Sequence, residues 1–119
     1  MKKINGYFES NFPIIELEIN NNKISLILDT GFNGHLMLPK RSIEIMDLTQ
    51  EGFIDYRTAE GSNNMSELYS VIVKIMDHIR KVPVIATDSN FSLAGIRLFN
   101  QFKIILEKNK NIVEISREK

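Results

Sequence analysis

Between Ser25 and Gly34 the chain reads Ser25-Leu26-Ile27-Leu28-Asp29-Thr30-Gly31-Phe32-Asn33-Gly34, and this stretch limits what the whole can fold into. An unbroken apolar run, Leu26 to Leu28, suits a strand buried on both faces. It delivers a carboxylate, a small hydroxyl residue and a glycine to the point where that strand must end. Stripping water from a carboxylate is costly unless pairing or protonation offsets it. Asp29 is therefore either a turn residue whose carboxylate caps nearby backbone N–H groups or a working acid, and the stretch alone leaves both open.

Composition narrows the partners. A chain of 119 residues, 43% hydrophobic and 25% charged, can bury one core without disulfides or metals, and a single domain over residues 1–119 is expected. Fifteen Lys and Arg balance fifteen Asp and Glu, so no overall field draws the chain to nucleic acid or to an anionic membrane. Cysteine is absent, which excludes disulfides and thiolate metal sites. His35 and His78 are far apart and neither has an acidic pair at ligand spacing, so no metal and no cofactor is expected. No Gly-x-Ser-x-Gly elbow supports a serine nucleophile. Met1-Lys2-Lys3 leads into no apolar segment of signal-peptide length and no run is long enough for a membrane span, so a cytoplasmic location is expected.

The rest of the chain reads as short strands. Tyr7 and Phe8 open a first one, interrupted by Asn11 and Pro13, and Ile15, Leu17 and Ile19 alternate with Glu16 and Glu18 as a half-buried strand does. Asn20-Asn21-Asn22 is a turn, because asparagine tolerates positive φ, and it returns the chain into Lys23 to Leu28. Leu36 and Leu38 form a short strand ending at Pro39, and Lys40 to Leu48 suits a short helix. A long hairpin follows: Phe53 to Thr58, a turn at Glu60-Gly61-Ser62-Asn63-Asn64, then a strand to Ile75 with Tyr69, Val71, Val73 and Ile75 on one side. After an Asp77-His78 turn, Val82 to Ala86 is a strand that Pro83 assigns to an edge or an end. Leu93-Ala94-Gly95 runs into helical spacing from Ile96 to Phe102, and two final strands lie near 103–106 and 112–115. Eight or nine short strands with two short helices imply an all-β, closed or nearly closed barrel-like sheet.

Apolar-apolar-Asp29-Thr30-Gly31, a short helix, a long hairpin, and Leu93-Ala94-Gly95 leading into a helix together resemble the single-domain retropepsin-like aspartic proteases of bacterial and archaeal type. The resemblance covers nearly the whole chain. It includes an aromatic, Phe32, after the triplet, where retroviral members usually have alanine or serine, and the Gly-containing loop that ends in Leu38-Pro39; it departs from the family in Ala94, where a bulky aliphatic is usual.

The resemblance implies the retropepsin-like acid protease fold and peptide-bond hydrolysis by a pair of aspartates. Hydrolysis with water needs one group to take a proton from the water and another to give one to the carbonyl oxygen and leaving nitrogen. Two carboxylates about 3 Å apart share one proton, because like charges that close do not both ionise. The chain carries a single Asp-Thr-Gly, so the second carboxylate comes from a second copy, and an isologous homodimer is implied. Asp29 is then catalytic, Thr30 and Gly31 shape its loop, and Glu60, Gly61 and Ser62 at the tip of the long hairpin form a flap over a peptide or protein substrate. Two other readings stand beside this one: a catalytically silent domain of the same fold that binds peptides or dimerises, and a β-barrel interaction module in which Asp29 closes a turn. Ile112 to Ile115 is either a strand that interleaves with a partner's chain end or an ordinary edge.

Overall fold

Two tight turns with left-handed backbone fold the first three strands back on one another. The computed structural model of the chain describes residues 2–57 and 61–117. Ser10 and Asn11, with φ of 49° and 73°, join β1 (Lys3–Glu9) to β2 (Phe12–Ile19), and Asn20 and Asn21, at 47° and 66°, join β2 to β3 (Asn22–Asp29). Consecutive positive-φ residues have the twist that two-residue hairpins need, and asparagine is the side chain that adopts it most readily. Asn20 does more than turn: its Oδ1 accepts the Ile72 N–H at 2.8 Å while its own N–H donates to the Ile72 carbonyl at 2.9 Å. Asn20→Ala removes one of those bonds and leaves alanine in a left-handed conformation. It is expected to cost about 1–3 kcal/mol, read from the urea midpoint, whereas Asn21→Gly should be neutral or stabilising.

The long strand β6 (Asn63–Ile75) closes the sheet. It pairs antiparallel with β5 (Gly52–Arg57) and with β7 (His78–Thr87), and near Val73 and Lys74 it also pairs with Ile19 and Glu18 of β2. With β4 (Leu36–Pro39) and β8 (Leu93–Gly95), the ring β6-β7-β4-β8-β3-β2 is a closed six-strand barrel. β5 extends it on one side. β1, β10 (Ile112–Ser116) and β9 (Lys103–Glu107) extend it on the other. The alternation read in the sequence points Ile15, Leu17, Ile19, Tyr69, Val71, Val73 and Ile75 into one core with Leu26, Leu28, Leu36 and Leu38. Each such side chain contributes about 1.5–3 kcal/mol by leaving water.

The structure corrects the sequence reading in several places. Ten strands are present among the described residues, not eight or nine, because β1 begins at Lys3 and Leu93–Gly95 is itself a strand. Asn11 does not interrupt the first strand; it makes the turn after it. The helix expected over Lys40 to Leu48 is α1 (Lys40–Ile45), stopped where Asp47 turns left-handed at φ 53° and the N–H groups of Asp47 and Leu48 bond the carbonyls of Glu44 and Ile43. That is a Schellman closure, and it brings Leu48 back over Ile43. The helix expected from Ile96 to Phe102 is only a 3-10 turn, Ile96–Phe99, since the chain must re-enter the sheet at Lys103. Pro83 lies within β7, yet pairing with β4 starts only at Val84, so at Pro83, which has no N–H to donate, the strand has β6 as its one neighbour. Ile112–Ser116 is neither a free edge nor a strand open to a partner: Val113 to Ser116 pair with β1 on one side and β9 on the other.

Candidate active site

Asp29 is the last residue of β3, held in parallel register with Gly95, one position after Leu28 pairs with Ala94. Ala94 is fully buried, and it is also paired with Leu36 of β4, so β8 lies between β3 and β4 in the sheet. Beyond Asp29 the backbone turns at once: the Phe32 N–H donates to the Asp29 carbonyl at 3.1 Å and the Gly31 N–H to Asp29 Oδ1 at 3.0 Å. The other carboxylate oxygen has no hydrogen-bond partner among the described residues.

The loop after Asp29 is fixed from behind by β8 and the 3-10 turn. Gly95 N–H donates to the His35 carbonyl at 2.7 Å, Ile96 N–H to Phe32 at 3.0 Å, and Arg97 N–H to Gly34 at 3.2 Å. The Phe32 ring wedges between two glycines: a Cβ on Gly34 would lie 2.6 Å from Phe32 Cζ, and one on Gly95 would lie 2.7 Å from Phe32 Cδ2 and overlap the Gly34 carbonyl oxygen. The structure makes Gly95 the support on which the Asp29 loop rests. At Gly31 an added Cβ would find only Asp29 Oδ1, at 3.4 Å, an ordinary contact within one chain.

Asp29 and Thr30 open into a cavity of about 550 Å³ whose walls are Phe8, Phe12, Ile27, Phe91, Leu93 and Leu106. Phe12 is 48% exposed and Phe91 59%, so large apolar side chains face solvent beside a carboxylate. Clustered exposure of that kind marks a surface that something covers. Sequence reasoning missed this wall. Its only local signal is aromatics at turn edges and in the polar segment Ser89-Asn90-Phe91. Of the other residues assigned to the site, Gly61 and Ser62 are exposed at the end of the β5–β6 hairpin and do not line this cavity, while Glu60 lies outside the described residues.

His35 stands half-buried behind the loop, and burial first, then the Arg80 and Arg97 guanidiniums, push its imidazole below the ordinary 6.5. A histidine whose folded-state pKa is lowered prefers to be neutral when folded. As pH falls below about 6.5 the unfolded chain takes up a proton before the folded one, so stability is fully present above that value and erodes on acidification. His35→Gln should therefore flatten the fall in Tm between neutral and mildly acidic pH. Parallel curves for the two proteins would remove His35 as the cause.

No protein-family model matches the sequence, and no curated protein matches it either. Solved structures do. A retropepsin-like aspartic protease from Rickettsia conorii is 21% identical with a TM-score of 0.71, over 98% of this chain and 91% of the other. The EIAV protease in complex with an inhibitor is 18% identical with a TM-score of 0.62, over 78% and 89%. The retroviral protease-like domain of Ddi1 from Leishmania major is 13% identical with a TM-score of 0.52, over 91% and 94%. The chain has the all-β fold of the retropepsin-like aspartic proteases, as its Asp29-Thr30-Gly31 stretch and its second glycine strand imply.

Proposed function

We propose that this chain is a cytoplasmic aspartic endopeptidase whose active centre is assembled from Asp29 of two copies. The observation that carries the proposal is the placement of Asp29: a rigid strand end presents a carboxylate with one oxygen used by its turn and the other unpartnered, at the mouth of an apolar cavity. One carboxylate cannot act as base and acid in the same step, whereas a close pair that shares one proton, and so carries one negative charge, can. Between two such carboxylates a single proton is held. The ionised member takes a proton from the attacking water while the protonated member gives one to the substrate carbonyl oxygen. The member that took the water's proton then gives it to the leaving nitrogen while the other takes one from a hydroxyl of the tetrahedral adduct, the C–N bond breaks, and the pair returns to its shared-proton state. The substrate is an extended peptide segment lying between the Asp29 cavity and the β5–β6 hairpin, whose end closes over it to exclude water.

A catalytically silent, peptide-binding domain of the same fold is the second reading, and Ala94, a small buried residue paired with Leu28 just before Asp29 and standing where the resemblance leads one to expect a bulky aliphatic, favours it. Cleavage of a mixed peptide library at acidic and neutral pH, with solution mass measured on the same material, separates the two. The endopeptidase reading expects cleavage by a dimer. Binding without cleavage at every pH supports the silent domain.

A further inference from the structure

The turn between β6 and β7 and the residues that follow the 3-10 turn enclose a second cavity, of about 370 Å³. It shares no lining residue with the Asp29 cavity. Arg80, His78, Asn100 and Gln101 stand around it over Ile75 and Phe102, and no acidic side chain is among them. A volume of this size is in the range of small-molecule sites, and this one is walled by N–H donors.

The fold leaves those donors largely unused. Arg80 reaches only the Leu98 carbonyl, to which Nη1 donates at 3.4 Å, and it has no carboxylate partner among the described residues. One such bond leaves most of its five N–H groups free. The side-chain amides of Asn100 and Gln101 have no hydrogen-bond partner among the described residues. Arg117 Nη1 lies 3.4 Å from His78 Nδ1, and a guanidinium only donates, so Nδ1 accepts and Nε2 of the neutral ring carries the proton.

Charge points the same way. The chain as a whole is neutral, yet this end gathers cations. Arg80 and Arg97 both act on His35, whose imidazole is pushed down by burial and then by these two guanidiniums, with no carboxylate among the causes. Arg117 adds a third guanidinium beside His78. The acid next to His78 is Asp77, and both its oxygens are held by Lys2 Nζ at 2.5 Å. An uncompensated guanidinium attracts anions, and its planar fork matches the oxygens of a phosphate.

We propose that this cavity binds a phosphate group, with Arg80 as its cation and Asn100 and Gln101 as neutral donors. Donors converge on it from β7, from the β6–β7 turn and from the residues after the 3-10 turn. A carboxylate has two oxygens to offer them, whereas a phosphate offers three or four. Phe102 supplies an apolar surface for the body of a phosphate monoester. The site shares nothing with peptide hydrolysis, so the failure of either proposal leaves the other standing.

The test is titration of the ¹⁵N-labelled protein, followed by NMR, with inorganic phosphate and with phenyl phosphate, each against potassium chloride at matched ionic strength. The side-chain N–H signals of Arg80, Asn100 and Gln101 should shift and saturate with phosphate but not with chloride. Arg80→Gln, a change at an exposed position, should keep the wild-type spectrum elsewhere and weaken binding about tenfold or more. Lys81→Gln removes an equal charge outside the cavity and should leave the Kd as it is. Shifts that never saturate or that chloride reproduces, an Arg80→Gln protein that binds as wild type does, or equal weakening by Lys81→Gln overturns the site. The two ligands separate the sources. Tighter binding of phenyl phosphate assigns the cavity to a phosphorylated small molecule, and tighter binding of inorganic phosphate assigns it to the free ion.

Discussion

Asp29→Asn is expected to lower peptide hydrolysis by about a thousandfold or more while leaving the fold as it is. The amide cannot take the proton from water or hold the shared one, and proton transfer by positioned groups contributes about 10²–10⁴ in rate. In a symmetric dimer the substitution removes both carboxylates together, so the larger end of that range applies. The turn should survive, because the asparagine Oδ1 can still accept the Gly31 N–H at the position Asp29 Oδ1 now holds. The unfolding free energy from urea titration should therefore change by no more than about 0.5 kcal/mol. Residual cleavage near the wild-type rate would show that Asp29 is a turn residue and nothing more.

Gly95→Ala is expected to be among the most disruptive changes of a single methyl group in the chain. The added carbon would overlap the Gly34 carbonyl oxygen, which is held by the Arg97 N–H, and press on the Phe32 ring. Neither neighbour is a flexible side-chain end: one is backbone, the other a ring wedged between two glycines. Relief requires the 29–35 loop to move off β8, breaking the Gly95-to-His35 bond with it. Overpacking of this kind costs about 3 kcal/mol or more where backbone must yield. Because the same loop aims Asp29, kcat/KM should fall even in the fraction that stays folded. Gly31→Ala is the control, since its methyl would meet only Asp29 Oδ1 at ordinary contact distance, and its effect on stability should be small. Equal urea midpoints for Gly95→Ala and wild type would mean that the loop is not seated on β8 in solution.

The parts of this fold that were legible in the sequence are those decided within a few residues. Ile15, Leu17 and Ile19 alternate with charges, three asparagines mark the following turn, and Tyr69 to Ile75 keep a period of two, so the strands, turn and inward faces could all be read. Asp29 was legible for the same reason: an apolar run ending in an acid is a local contradiction, and local contradictions collect at working sites. What escaped was decided at a distance. The closure of β6 on β2 joins residues more than fifty positions apart, which no periodicity records. β8 is three residues long and exists because β3 and β4 flank it. The apolar wall around Asp29 draws Phe8, Phe12, Phe91 and Leu106 from separate segments that meet through the pairings of β1 with β2, of β10 with β1 and β9, and of β3 with β8. Asn11 was misread because a turn residue inside an apolar stretch looks like an interruption until the strand on its far side is known to fold back.

A mixing experiment tests most directly whether one active centre needs two chains. Wild type is combined with Asp29→Asn protein under conditions where subunits exchange, and cleavage is measured per wild-type chain. If the centre is shared, only wild-type pairs are active, and an equal mixture should show about half the activity per wild-type chain, falling further as the variant is added. Activity per wild-type chain that stays constant at every ratio, with exchange demonstrated, would mean that each copy works alone.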